Sequence, residues 1–368
     1  MIYGKVRRVQ SSTGSPHLRA WDERRPSHHR RKANVGACYT IAALLCLIAG
    51  PVRAEVAKAI EIQARPIPYF QTSNPTSHRF GRLEFRGGLQ LTSDAKEFGG
   101  LSGIVIEPDG KGFLATSDEG HWLAAEIAYQ ADRPIGIVKS RMGPIVALRG
   151  RTLDKKRDLD AEAMSPLDGT LMRGHVLVGF ERNQRIGVFP VTDGHLGAPI
   201  RYLKMPPEAR RMKSNKGFEA VAALKGGPLK GSIIAFSERF PGDESQHTGW
   251  LWIKDQPHAL TLADHAGFDI TDAASLNDGT LLILERRFRW TEGVKMRVRL
   301  IAAEKIKPGA RLDGDILLAA DLTSQIDNME ALAVHADQAG NTILTIVSDN
   351  NFNPFLQRTL LLQFRLHE

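Results

Sequence analysis

Five segments of this chain repeat one another, and a repeat used five times leaves few folds open to it. They are Leu101-Ser102-Gly103-Ile104-Val105, Ala161-Glu162-Ala163-Met164-Ser165, Phe218-Glu219-Ala220-Val221-Ala222, Thr271-Asp272-Ala273-Ala274-Ser275 and Met329-Glu330-Ala331-Leu332-Ala333. Aligned on Ser102, Glu162, Glu219, Asp272 and Glu330, the copies are 60, 57, 53 and 58 residues apart. An acid, or Ser in the first copy, heads a short apolar strand each time.

A Gly- or Asn-bearing turn follows each opening strand, from Pro108-Asp109-Gly110 to Ala339-Gly340-Asn341. Those residues tolerate the positive φ of tight hairpins. A second apolar strand comes next and ends on polar residues: Asp118-Glu119, Glu181-Arg182, Glu238-Arg239, Glu285-Arg286 and Asp349-Asn350. Third strands read at Trp122–Tyr129, Arg185–Val191, Gly249–Ile253, Arg297–Ala302 and Thr359–Leu366. Fourth strands read at Ile145–Leu148, Ile200–Lys204, Ala259–Leu262 and Asp315–Ala320. The last copy lacks a fourth, and Arg82–Leu91, ahead of the first copy, reads as the missing one. Open arrays leave unpaired edges. The pattern therefore predicts an all-β propeller of five four-stranded blades, closed by pairing Arg82–Leu91 with Thr359–Leu366. Six blades are the alternative count, and a sandwich with coincident turn spacing is the competing architecture.

The net charge of +8 invites a nucleic-acid reading, but its location argues against one. Residues 1–54 hold ten Lys/Arg and two acids, while the remainder holds 39 of each. An electroneutral body has no general means of gripping a phosphate backbone. Within 1–54, a basic stretch ends at Arg30-Arg31-Lys32, an apolar run spans Val35 to Gly50, and Pro51-Val52-Arg53-Ala54 follows. That order predicts a signal peptide cut after Ala54, and hence a periplasmic or secreted protein with no membrane attachment after cleavage. An uncleaved anchor is the alternative, although the run is short for a span of about 20 residues. Both cysteines, Cys38 and Cys46, lie in the run. A mature chain would lack disulfides, thiol catalysis and Cys-ligated zinc. Residues 55–79 read as a linker and 80–368 as the propeller. No oligomeric state is indicated.

Phe98-Gly99-Gly100-Leu101-Ser102-Gly103-Ile104, Thr116-Ser117-Asp118-Glu119-Gly120, Asp160-Ala161-Glu162-Ala163-Met164, Gly217-Phe218-Glu219-Ala220 and Asn328-Met329-Glu330-Ala331-Leu332 occur in this order. As a set they resemble the phytase-like domain family, described as having phytase-associated esterase-like activity. The resemblance covers roughly residues 80–368 and implies a propeller and an exported hydrolase-type protein. It supplies no catalytic residue to carry over. The calcium ligands of β-propeller phytases have no residue-by-residue match here.

Antiparallel pairing puts the start of each first strand beside the end of its second. Glu162, Glu219, Asp272 and Glu330 are thus expected around one channel mouth, as ligands for a hard, oxygen-seeking cation such as calcium. Asp118, Glu119, His121, Arg182, Arg239 and Arg286 are expected on the same face as the catalytic set. Guanidinium groups suit phosphate or carboxylate, and His121 suits a general base. The contrary reading is that Glu-Arg motifs tie neighbouring blades together, because buried charges must be paired. Neither a Gly-X-Ser-X-Gly elbow nor a Walker loop is present. The basic run Arg149–Arg157 reads as a solvated loop. Two functions stay open: a metal-assisted hydrolase of phosphate or carboxylate esters, and a non-catalytic propeller that binds a small ligand or an envelope protein.

Overall fold

A computed structural model describes residues 57–212, 215–242 and 245–367. The signal-peptide reading lies outside them. Among the described residues, no helix is long and apolar enough to cross a membrane.

Five antiparallel sheets form the five blades. Blade one comprises Leu101–Ile106, Gly112–Ser117, His121–Gln130 and Arg133–Pro144. Blade two comprises Ala161–Gly169, Arg173–Phe180, Arg185–Thr192 and a fourth strand broken into His195–Leu196 and Arg201–Tyr202. Blade three comprises Phe218–Ala223, Ile233–Ser237, Gln246–Ile253 and Gln256–Ala263. Blade four comprises Asp269–Ser275, Leu281–Arg289, Gly293–Ile301 and Asp315–Ala320. Blade five comprises Asn328–Ala336, Thr342–Asp349, Thr359–Leu366 and, from the N-terminal side, Leu83–Thr92. That last pairing is antiparallel, from Thr359 opposite Leu91 to Leu366 opposite Leu83. Both the five-blade count and the closure agree with the sequence reading.

Packing explains why five blades make a ring. The buried apolar residues form five clusters, and each spans two neighbouring blades. Ala331, Val347 and Leu361 of blade five pack with Ile104, Phe113 and Leu123 of blade one, so the seam is sealed like the other interfaces. Strands buried on both faces read as continuous apolar runs rather than alternations. Leu101–Ile106, buried throughout, is one of them. First strands of adjacent blades touch around the axis. Gly103 allows the closest approach, since a Cβ there would lie 2.5 Å from the Met164 backbone nitrogen.

Two expectations are corrected. The segment read as a linker pairs with the sheets instead: Lys58–Ala59 joins blade one and Gln63–Ile67 joins blade five. It crosses the seam and covers both outer edges, which would otherwise stand unpaired. The fourth strand of blade one is Arg133–Pro144, not Ile145–Leu148. Register shifts in its pairing with His121–Gln130 break the inward–outward alternation that would have marked it.

Candidate functional site

Each first strand carries a β-bulge at the same place, leaving one residue unpaired. The bulged residues are Ser102, Glu162, Glu219, Thr271 and Glu330. A bulge re-aims a side chain out of the ladder, and five in register make a ring at one channel mouth. Asp272 is not in that ring; the sequence alignment was one residue late in blade four. Its carboxylate is fully buried and accepts hydrogen bonds from the Leu332 N–H at 2.7 Å and the Ala273 N–H at 2.8 Å. It ties blade four to blade five, so of the four residues expected to face the mouth as cation ligands, Glu162, Glu219 and Glu330 stand in the ring.

The same offset re-reads the second strands. Opposite Leu101, Ala161, Phe218, Ile270 and Met329 stand Ser117, Phe180, Ser237, Glu285 and Ser348. The residues after them are Asp118, Glu181, Glu238, Arg286 and Asp349. Arg286 therefore occupies the position that is acidic in the other four blades. Glu285 is buried inside a strand that runs on to Arg289, held by Arg297 and by Arg299 at 2.6 Å.

Nine carboxylates converge on this mouth, and their partners differ. Asp118 and Asp160 meet the Lys156 ammonium at 3.2 and 2.9 Å, and Glu119 meets it at 3.0 Å. Lys156 belongs to the basic run read as solvated surface, in a short helix, Lys156–Leu159. Its place four residues before Asp160 was the signal available. Arg182 turns back onto Asp160 through a left-handed backbone. Glu238 binds Lys216 at 2.7 Å, and Glu330 binds Arg286 at 3.1 Å and Asn328 Nδ2 at 2.7 Å. Glu181 accepts the Gly217 N–H at 3.2 Å and a hydrogen bond from the Glu219 carboxyl. Asp349 accepts the Asn351 N–H at 2.7 Å. Glu162 has no hydrogen-bond or ion-pair partner among the described residues.

Burial, followed by the neighbouring negative charges, holds the Glu162 and Glu219 carboxyls well above the usual carboxylate range. Burial raises Glu330 to about 7 against the opposing pull of Arg286, and raises Asp349 to about 7 against the Asn351 N–H. These side chains sit deep in the protein, yet Glu162, Glu219 and Glu330 keep some exposed surface. That combination is what lining a narrow mouth produces. Two groups bring three carboxylate oxygens within 4.8 Å of one another: Asp160, Glu162 and Glu181, and Glu181, Glu219 and Glu238. Glu181 is common to both. Hard oxygen donors at this density fit a calcium-type ion, which takes six to eight oxygens.

The expected catalytic set is only partly assembled. Among the described residues, Asp118 has one carboxylate oxygen buried without a partner, and His121 has a buried Nδ1 without one. Arg239 is turned away from the ring, bonded to Asp264 at 2.8 Å, Asp269 at 2.6 Å and the Phe268 carbonyl at 3.2 Å. Gly100, with φ of +62°, makes room for Asp118, because a Cβ would overlap its carboxylate and the Phe352 ring. Phe352 thus sits over blade one beside Asp118, in a loop that also exposes Phe355 and Leu356.

A family model matches residues 96–352, and its description is phytase-like, esterase-like activity of phytase. The chain belongs to that phytase-like family. The matched span runs from ahead of the first strand of blade one into the loop that carries Phe352. No curated protein matches this phytase-like chain. Among solved structures, one described as the structure of U3-55K is similar at 9% identity and a TM-score of 0.37, covering 73% of this chain and 96% of that one.

Proposed function

We propose that this phytase-like propeller is an exported, cation-assisted hydrolase of phosphate or carboxylate esters, working at the acidic mouth. The observation that carries the reading is the pair of three-carboxylate groups sharing Glu181, one of which includes a Glu162 with no hydrogen-bond or ion-pair partner among the described residues. Converging buried charges repel unless protons or a bound cation compensate them. Such a cation would supply Lewis acidity and an acidified water.

The chain's own residues supply the rest. Glu162, Glu181, Glu219 and Glu238 would hold the ion. Arg286, the one arginine in an otherwise acidic ring, lies next to Glu330 and would meet the anionic end of a substrate. Its Nε is buried and has no partner among the described residues. Glu330 and Asp349, both at about 7, lie where a carboxyl can take or return a proton near neutrality. Phe352, Phe355 and Leu356 give one side of the mouth an apolar rim, which favours esters with a hydrophobic portion over wholly hydrophilic polyphosphates.

One observation favours a second reading, a cation-dependent propeller that binds without catalysis. Arg182 and Arg239 are committed to Asp160, Asp264 and Asp269, so the mouth offers fewer anion-binding groups than the motifs suggested. The deciding experiment is metal analysis of the purified protein, then assays on aryl phosphates and aryl acyl esters with calcium or with chelator. Calcium-dependent turnover that Glu330→Gln abolishes supports the hydrolase. Calcium binding without turnover of any substrate supports the second reading. No calcium binding at all rejects both.

A further inference from the structure

The channel has a second mouth, at the far ends of the same first strands. In between, the bore narrows to about 20 Å³ among Ile104, Met164, Leu332 and Val334. It then opens into a cavity of about 490 Å³. Strands of six residues separate the two ends by about 20 Å at 3.3 Å per residue. The walls of this cavity are mainly apolar, with Pro108, Pro166, Leu171, Val176 and Val334 among them.

Its charged groups are unequally matched. Asp168 is bonded to His175 Nδ1 at 2.7 Å, and Glu107 accepts the Met172 N–H at 3.1 Å. Lys225 lines both the cavity and the throat above it. Its backbone N–H is fixed to Ser275 Oγ of blade four at 3.0 Å, so the residue cannot swing out with its loop. Its ammonium group has neither an ion pair nor a hydrogen bond among the described residues. His335 lines the same cavity, with a buried Nδ1 that has no partner among the described residues.

We propose that this second mouth binds an organic monoanion with an apolar body, a medium-length carboxylate, whose charge is taken by Lys225. A half-buried cation without a counter-charge is costly and is ordinarily paired. The carboxylates nearby are already engaged. Apolar walls with one or two convergent polar groups describe a ligand pocket, and the volume falls in the usual range of about 300–1,000 Å³. Burial alone presses on the Lys225 ammonium and lowers its pKa, as expected where no anion answers it. Burial, with Arg86 and Lys225 adding to it, holds His335 at about 4. The ring is therefore neutral near pH 7 and free to hydrogen-bond the same carboxylate.

The test is calorimetric titration of the chelator-treated protein with octanoate and, separately, with 1-octanol. Chelation keeps the acidic mouth free of any cation that would itself bind a carboxylate. We expect octanoate to bind wild type at least tenfold more tightly than octanol. Lys225→Met should abolish that preference, and Lys230→Met, a change to an exposed lysine at the rim, should leave it within twofold. Equal affinity of wild type for octanoate and octanol overturns the proposal. So does octanoate binding that Lys225→Met leaves unchanged. Should that variant fail to fold, the wild-type comparison of the two ligands still decides.

Discussion

Blade two carries the sequence Glu-Arg just after its second strand and blade four carries it within its own, and the two pairs do opposite things. In blade two, Glu181 faces the mouth among other carboxylates while Arg182 turns aside to Asp160. In blade four, Glu285 is buried in the sheet between Arg297 and Arg299, and it is Arg286 that faces the mouth. The physical difference is one residue of register. A bulge at Thr271 rather than at Asp272 shifts the pairing, and side chains on a strand alternate faces, so one step exchanges inside for mouth. A structural ion pair and a candidate ligand can therefore carry identical local wording.

The largest effect that would sharpen this comparison is at Glu285. Glu285→Gln leaves Arg297 buried without its counter-charge and Arg299 with only Asp313, at 3.5 Å, and it should cost about 3–5 kcal/mol of folding stability. Chemical denaturation measures it, and a loss below about 1 kcal/mol would show that the two Glu-Arg pairs are not so different after all. Next comes Glu181→Gln. Since Glu181 serves both carboxylate groups, calcium affinity should fall at least tenfold, or about 1.4 kcal/mol, by calorimetry. Stability in chelator should stay level or rise, because a charge among like charges has been removed. A destabilised variant with unaltered affinity would place Glu181 with Glu285.

A smaller effect follows from pH. Glu330 and Asp349, raised to about 7, keep in the native state protons that the unfolded chain has already lost. Their contribution is present in full below the unfolded values near 4 and is lost as pH rises through about 7. Chelated protein should thus be less stable at pH 8 than at pH 6, and calcium should reverse the loss. His335 at the other mouth has the opposite sign. Held neutral down to about 4, it costs stability as pH falls below its unfolded value near 6.5. The two windows overlap, so thermal unfolding across pH is compared between wild type and variants. Glu330→Gln should lessen the fall in stability from about pH 4 to about 7, and His335→Gln should steepen it below about 6.5; a curve that neither change alters would contradict the assignment. The smallest effect belongs to Arg182→Gln, about 0.5–1 kcal/mol, since Lys156 remains on Asp160 and the arginine is partly exposed. A tenfold loss of calcium affinity in that variant would break the comparison by making Arg182 part of the site.

The repeat spacing, the hairpin turns and the unpaired fourth strand of the last copy were enough to read five blades and their closure. Apolar runs and turn residues are local features, and a ring follows from them because an open array would leave edges exposed. The ring of acids was legible for the same reason in Glu162, Glu219 and Glu330. The position of Asp272, the placement of Arg286 and the burial of Glu285 were not, because a bulge inserts a residue without a dependable mark in the sequence. Nor was the cover that residues 58–67 lay across the seam, since edge strands expose one face and lose the apolar pattern. Lys156 and Lys225 show the same limit from the side of charge. Both look like ordinary surface lysines in one dimension. Whether a charge meets four oxygens or none depends on which distant segments fold against it, and only the tertiary structure decides that.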